Sequence, residues 1–329
     1  MLDNSMVVDT RSLQTGNVVE HSGKIPCHGH MNPNYLIKEI KNMKCNSPFR
    51  YPGGKSKLLS QIMSELKDLE NISENFTDVF VGGGSVSLEV AETFPDTRIQ
   101  MNDKDPRIAA FWKVTCSDGV DELIERIDVD PTWNLFTDTQ SMKCTTDLDL
   151  AFQGIFLNRT AYNGILSAGP IGGWDQSGKY KIDSHYNIKK LKEKILYCNR
   201  LLADRTIVTC EDFRTVLSTS GEKTAIYLDP PYIVKGNGLY GFDMSVEDHH
   251  ALANMLKYRD NWLLSYDDCF LSRRLYTLEE ISAIPVRYCI RNKWREKTEL
   301  LIRKKSRKRD SNKLRVGSVG NARMDIRLN

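Results

Sequence analysis

Six consecutive residues, Tyr227, Leu228, Asp229, Pro230, Pro231 and Tyr232, set a carboxylate and an aromatic ring on either side of a stiff proline pair. The Asp229 carboxylate and the Pro230 carbonyl are both hydrogen-bond acceptors, and the imide nitrogens bring no N–H to compete for them. Two acceptors at one point suit an amine whose lone pair is delocalised into an aromatic ring. Accepting both amine hydrogens favours a tetrahedral, nucleophilic nitrogen. Tyr232 offers a face on which a flat heterocycle stacks. Because consecutive prolines fix φ and forbid helix, the acceptors stand in position before any ligand arrives, which is where electrostatic catalysis gains its advantage. The chemistry implied is methyl transfer to the exocyclic amine of a nucleobase by direct displacement, with neither metal nor covalent intermediate. A plain Pro-Pro turn after a strand would use the same residues, so other segments must decide.

The elements expected to position this tetrapeptide follow from periodicity and turn chemistry. Residues 224–228 are an apolar run of strand length, which puts Asp229 at a strand's carboxyl end, where open α/β sheets bind ligands. Residues 76–81 are β-prone, Gly82 to Gly84 turn sharply, and residues 86–91 open a helix. That strand-turn-helix order builds a nucleotide-type pocket in which glycine lets a ligand lie against the backbone. The spacing Gly82-x-Gly84-x-x-Ser87 lacks the third glycine of the dinucleotide fingerprint. A ligand without phosphates, such as S-adenosyl-L-methionine, therefore fits better than NAD. Asp103, nineteen residues past Gly84, follows a strand at 98–101, the usual place for an acid that grips ribose hydroxyls; Asp105 is the second candidate. The run Gly53-Gly54-Lys55-Ser56 is no phosphate loop, because Phe49 stands where that motif needs glycine.

These segments, in this order, resemble the Dam-like (D12 class, alpha group) DNA adenine methyltransferases. The resemblance covers residues 47–304 and is carried by PFRYPGGKSKLL, DVFVGGGSVSLEVAE, MNDKDPRIAAFW, FLNRTAYNGIL, the DPPY, YGFDMSVEDHHALANML and LLSYDD. It implies an α/β fold, a Rossmann-like S-adenosylmethionine-dependent methyltransferase sheet with a smaller, mainly helical DNA-recognition insertion. It implies N6 methylation of an adenine flipped out of duplex DNA, with Asp229, Pro230, Pro231 and Tyr232 catalytic. Tyr51, Lys55, Phe80, Gly82, Gly84, Asp103 and Asp229 map to the cofactor site. Tyr51 and Pro52 stand where the family more often has tryptophan and alanine, and Tyr266 stands where it usually has asparagine in a loop contact.

Residues 117–204 break the α/β rhythm, with helices expected at 118–127 and 148–159 and then a polar, Gly-rich loop. DNA reading belongs here. Asn158, Arg159, Tyr162 and Asn163 match the family's NRT-x-(F/Y)-NG signature, and the loop adds Trp174, Gln176, Lys179, Tyr180, Lys181 and His185. Arginine and lysine bond phosphates or guanine, glutamine and asparagine read adenine, and an aromatic fills the gap left by a flipped base. Residues 178–187 differ from the hairpin that reads GATC in the best-known members, so that site is not carried over. Residues 235–242, with Tyr240 and Phe242, suit a loop closing over an extruded base. Ser245 and Asp248 form a capping box ahead of an apolar face of Ala251, Leu252, Met255 and Leu256; His249 and His250 are expected to face solvent or a partner.

At 329 residues, the chain suits a catalytic domain (47–116 and 205–304) interrupted by a recognition insertion (117–204), with a flexible extension at 1–46 and a basic tail at 305–329. The net charge of +3 hides eight basic residues against one acid at 303–315, a phosphate-binding tail or a solubilising terminus. Eight cysteines lack CxxC spacing, and Cys27, His28, His30 and Cys45 make no zinc pattern, so free thiols and no metal are expected. Without a signal peptide or a long apolar run, the expected setting is cytoplasmic and away from membranes, with double-stranded DNA as partner, a monomer or weak dimer, and any cognate restriction nuclease on a separate chain. Three rivals remain open: transfer to the amine of cytosine, where serine more often replaces Asp229; methylation of RNA or a protein amide; and a catalytically silent DNA-binding relative.

Overall fold

The computed structural model describes residues 47–50, 55, 58–233, 243–290 and 293–305, the side chains of 287–296 excepted. Tyr51, Pro52, Gly53, Gly54 and Ser56, the loop with Tyr240 and Phe242, the Cys27 to Cys45 group and the termini lie outside the described residues.

Seven strands form one sheet: β1 (Asn75–Asp78), β2 (Arg98–Asn102), β3 (Thr206–Thr209), β4 (Ala225–Leu228), β5 (Trp262–Asp267), β6 (Glu280–Ile290) and β7 (Lys293–Arg303). Their order is β3-β2-β1-β4-β5-β7-β6. The first five strands run parallel, and β7 lies antiparallel between β5 and β6. Ten helices are described: α1 (Leu59–Leu66), α2 (Ser85–Thr93), α3 (Pro106–Thr115), α4 (Val120–Arg126), α5 (Trp133–Ser141), α6 (Asp147–Thr160), α7 (Ile188–Leu202), α8 (Phe213–Thr219), α9 (Val246–Leu256) and α10 (Phe270–Leu275).

A parallel sheet must be covered on both faces, so its strands read as continuous apolar runs. All of β4 and all of β5 are buried. Successive side chains still part company, as the pleat requires. Ala225, Tyr227 and Leu263 join one apolar cluster with Phe111, Trp112, Phe156 and Ile195. Ile226, Leu228, Trp262 and Leu264 join the other, with Phe213, Leu252 and Leu256. The first cluster includes residues of α3, α4, α6 and α7, so the helices between β2 and β3 share their core with the sheet.

Local signals fix the helix ends close to where the sequence puts them. Thr146 and Asp149 cap α6 reciprocally, and Ser245 and Asp248 do the same for α9, each cap being worth ~1 kcal/mol. Pro106 opens α3 behind the Asp105 cap, where a missing N–H costs nothing. The β1 run is shorter than expected, but Val79 N–H still reaches Tyr227 O at 3.1 Å and Val81 N–H reaches Asn102 O at 2.8 Å, so the chain stays tied between its neighbours to the glycine turn.

Gly154 of α6 lies against α3 so closely that a Cβ there would stand 2.9 Å from Arg107 O. On a free helix, Gly154→Ala gains roughly 0.5–1 kcal/mol; here the backbone contact opposes it, and overpacking costs roughly 1–3 kcal/mol. The expected outcome is a net loss of unfolding free energy in urea, with the helix signal retained. A more stable variant would refute the close approach.

Candidate active site

The strand order reverses between β1 and β4. Chains leaving adjacent strands there diverge and open a crevice at their carboxyl ends. β1 and β4 pair in parallel with Asp78 opposite Tyr227, so the glycine turn and the DPPY tetrapeptide leave the sheet side by side.

Gly82 and Gly84 have φ of 45° and 69°, left-handed values that glycine adopts without penalty. The reason differs at the two positions. A Cβ on Gly84 would come within 2.4 Å of the Trp112 ring, so the second glycine makes room for a core tryptophan. Trp112 Nε1–H in turn donates to Gly82 O at 2.9 Å, fixing the turn from below. Asp103 accepts from Gly82 N–H and Asp105 N–H, each at 2.9 Å. Its half-buried side chain is pushed up to about 7 by loss of solvent, against the pull of those two amides. Asp105 caps α3 and grips Arg107 through Nε and a terminal nitrogen. The second ribose candidate is therefore committed to its helix, which leaves Asp103 as the acid at the turn. Half-buried Phe80 lies 6.1 Å from Phe213, ring centre to ring centre.

Asp229 leaves β4 with a quarter of its side-chain surface open, and its Oδ1 lies 2.8 Å from Lys55 Nζ. Lys55, itself only 6% exposed, also donates to the Tyr232 hydroxyl and stands 3.9 Å from Glu299 Oε2. That hydroxyl donates to Glu299 Oε2 at 2.6 Å. Burial pushes the Asp229 carboxyl up, Lys55 pulls it back, and Glu299 pushes it up again. Tyr232 is held well above the usual phenol range by burial and by the two carboxylates. Its ring is stacked on Tyr266 at 6.5 Å with planes 19° apart. Tyr266 is fully buried within β5, not in a loop, and its hydroxyl bonds His249 Nδ1. That corrects the expectation for His249, which is 2% exposed and engaged inside the fold, whereas His250 is exposed as expected. The His249 ring sits below α9's polar surface because Leu252 and Leu256 turn the same helix face toward the sheet.

The recognition signature divides. Asn158 is fully buried: its Oδ1 accepts from Arg50 N–H at 2.7 Å, and its Nδ2 donates to Arg50 O at 3.0 Å and Gly164 O at 2.9 Å. It is a clamp on the segment leading to Lys55, with no polar atom left for a base. Gln176 is also committed, donating to Ile171 O and Gly173 O while its Oε1 accepts from Ile182 N–H; both residues leave the set of DNA contacts. Arg159 is partly buried, and desolvation with neighbouring Arg50 lowers its guanidinium to about 10. Tyr162, Asn163, Trp174, Lys179, Tyr180 and Lys181 are exposed. Trp174 also meets Phe136 edge-on at 6.0 Å.

Several contributors escaped the sequence reading. Asp78 is 2% exposed and accepts from Ser87 Oγ at 2.7 Å, while its Oδ1 makes no hydrogen bond of normal geometry among the described residues. Asn102 donates to Val79 O and Glu211 O and accepts from the Thr209 hydroxyl and Glu211 N–H, joining three strand ends. Glu299 was visible as a lone acid in the apolar run TELLI. Among the described residues no cluster of three metal-ligating side chains occurs, and no helix is long and apolar enough to cross a membrane.

Burial lifts Asp78 to about 7, with Asp229 and Asp103 adding repulsion. Its folded value lies above the unfolded one, so its contribution to stability is whole below about pH 4 and lost as pH rises through 7. Asp78→Asn removes this penalty. The variant should gain stability relative to the parent between pH 5 and 8, on the order of a few kcal/mol at most; a pH-independent difference in urea midpoints would contradict the assignment.

The family profile for D12 class N6 adenine-specific DNA methyltransferases matches residues 51–290. Type II methyltransferase M.MjaIII of Methanocaldococcus jannaschii is 29% identical over 205 residues, covering 56% of this chain and 68% of that protein. The Retron Ec67 DNA adenine methylase of Escherichia coli is 23% identical over 240 residues, 69% of this chain and 79% of that one. The solved precorrin-6y C5,15-methyltransferase of Geobacter metallireducens aligns at a TM-score of 0.33 and 12% identity, over 77% of this chain and 91% of that one. The profile match takes in both sides of the strand reversal and the helices between them, and by it the chain belongs to the D12 class of N6 adenine-specific DNA methyltransferases.

Proposed function

We propose that the protein transfers the methyl group of S-adenosyl-L-methionine to N6 of an adenine turned out of duplex DNA at a particular sequence. The observation that carries this reading is the position of Asp229, partly open and held by Lys55, at the crevice between β1 and β4. Family membership supplies the target atom; base extrusion, sequence specificity and the Dam-like grouping are our inference.

The residues present fit that cofactor. One lysine faces the carboxyl groups of Asp229 and Glu299, and Asp78 and Asp103 lie on the adjoining strand ends, so the crevice suits a cation. Asp78 Oδ1 is a buried acceptor open to an ammonium, Asp103 suits ribose hydroxyls, and Phe80 with Phe213 suits a flat ring. When bound, S-adenosylmethionine supplies an electrophilic methyl group on sulfur. Asp229 and the Pro230 carbonyl accept the two amine hydrogens, and Tyr232 stacks on the base. Extrusion costs a few kcal/mol, which one aromatic stack of ~1–3 kcal/mol largely offsets. Tyr162, Asn163, Trp174, Lys179, Tyr180 and Lys181 face the duplex, with Arg159 behind them. The protein acts as a monomer or weak dimer in the cytoplasm, and any companion nuclease is a separate chain.

Expression in a methylation-deficient host, followed by single-molecule sequencing, should reveal N6-methyladenine in one motif, absent with Asp229→Ala. Methylcytosine alone, or marks that persist in Asp229→Ala, would overturn the reading. Asp103→Ala should weaken cofactor binding at least tenfold by calorimetry, about 1.4 kcal/mol, while duplex affinity changes little; unchanged cofactor affinity would remove Asp103 from the site.

A further inference from the structure

We propose that Glu299 is a positioning residue for methyl transfer, fixing the Tyr232 ring as a preformed platform for the target base and sharing Lys55 with Asp229. The inference rests on the function proposed above and adds a member from β7, the strand farthest along the described chain.

Glu299 is 4% exposed and is followed on β7 by buried Leu300, Leu301 and Ile302. Burying a carboxylate costs several kcal/mol, and an apolar residue of similar size is often as stable or more so. Stability alone is therefore a poor reason for an acid at this position. What the acid does is specific. Its Oε2 receives the Tyr232 hydroxyl at 2.6 Å and lies 3.9 Å from Lys55 Nζ. The hydroxyl hydrogen is thereby spent on Glu299 and a lone pair on Lys55, which leaves the phenol no free rotation. Tyr266 backs one face of the same ring. The backbone is pinned as well: Ile233 N–H donates to Asp267 Oδ1 at 3.3 Å, and Asp267 is the residue paired with Glu299 across β5 and β7. Two acids on facing strands thus hold the side chain of Tyr232 and the amide just beyond it.

A fixed ring saves the entropy that a mobile one would lose when the base arrives. Lys55, with Glu299 as second counter-charge, keeps its ammonium at the Asp229 carboxylate.

The test is single-turnover methyl transfer to a duplex carrying one target adenine, with the cofactor dissociation constant measured separately, in Glu299→Gln, Glu299→Ala and Tyr232→Phe proteins and in the Tyr232→Phe/Glu299→Ala pair. Gln keeps an acceptor for the hydroxyl but removes the charge, and should lower the rate about tenfold; Ala should lower it about a hundredfold, against a cofactor affinity unchanged within about twofold. In the Tyr232→Phe background the Ala effect should shrink at least tenfold, because the hydroxyl through which Glu299 acts is already absent. A folded Glu299→Ala protein with the parental rate overturns the inference, as does an equal loss in both backgrounds. Should Glu299→Ala not fold, a parental rate in Glu299→Gln together with a parental pH profile does the same. A parent chain that methylates no duplex defeats the proposed function itself, and this inference with it.

Discussion

One ammonium group organises the crevice at the strand reversal. Lys55 Nζ is nearly out of solvent and is shared by Asp229, the Tyr232 hydroxyl and Glu299. A buried cation is tolerable only with such company, so its partners must converge, and they come from the ends of β4 and from β7. Even the approach to Lys55 is fixed from a distance. Phe49 packs edge-on against Phe111 at 4.5 Å, and Asn158 closes on the Arg50 backbone from α6. The helices between β2 and β3 thus hold the Arg50 backbone, five residues before Lys55, against their own core.

The opposite wall is built on the same economy. Trp112 fills the space that Gly84 leaves and bonds the carbonyl of Gly82, while Asp103 ties the Gly82 amide to the start of α3. Asn102 joins the ends of β1, β2 and β3. The turn therefore owes its shape to the core beneath it.

Much of this was legible because local rules and tertiary demands agree. The all-buried β4, the glycine turn, the helix α6, the capping box of α9 and the acid after β2 stand where pattern and spacing put them. Errors arose where a residue's type suggests one use and its surroundings impose another. Asn158 and Gln176 have the chemistry to read adenine, yet backbone groups that would otherwise be unpaired consume their amides. His249 looked like a surface residue on an amphipathic helix; its burial goes with a contact to Tyr266, seventeen residues further along the chain and on another element, that no periodicity encodes. Glu299 could be noticed as an acid among leucines, but its partner is a tyrosine from another strand's end, and pairing across the sheet order is invisible until the order is known.

The place of β7 bears on how the molecule comes into being. This strand does not extend the sheet at its rim; it slots between β5 and β6, and it carries the carboxylate that meets a lysine near the start of the described chain. Contacts so distant in sequence form late and slowly, because the intervening chain must first be brought together. On the ribosome, residues of the crevice contributed by β1 and β4 emerge long before Glu299, and until β7 arrives β5 presents an open flank of apolar residues. A nascent chain therefore passes through a stage with a nearly complete sheet, an unfinished crevice and an exposed strand edge, a form prone to pairing with its neighbours.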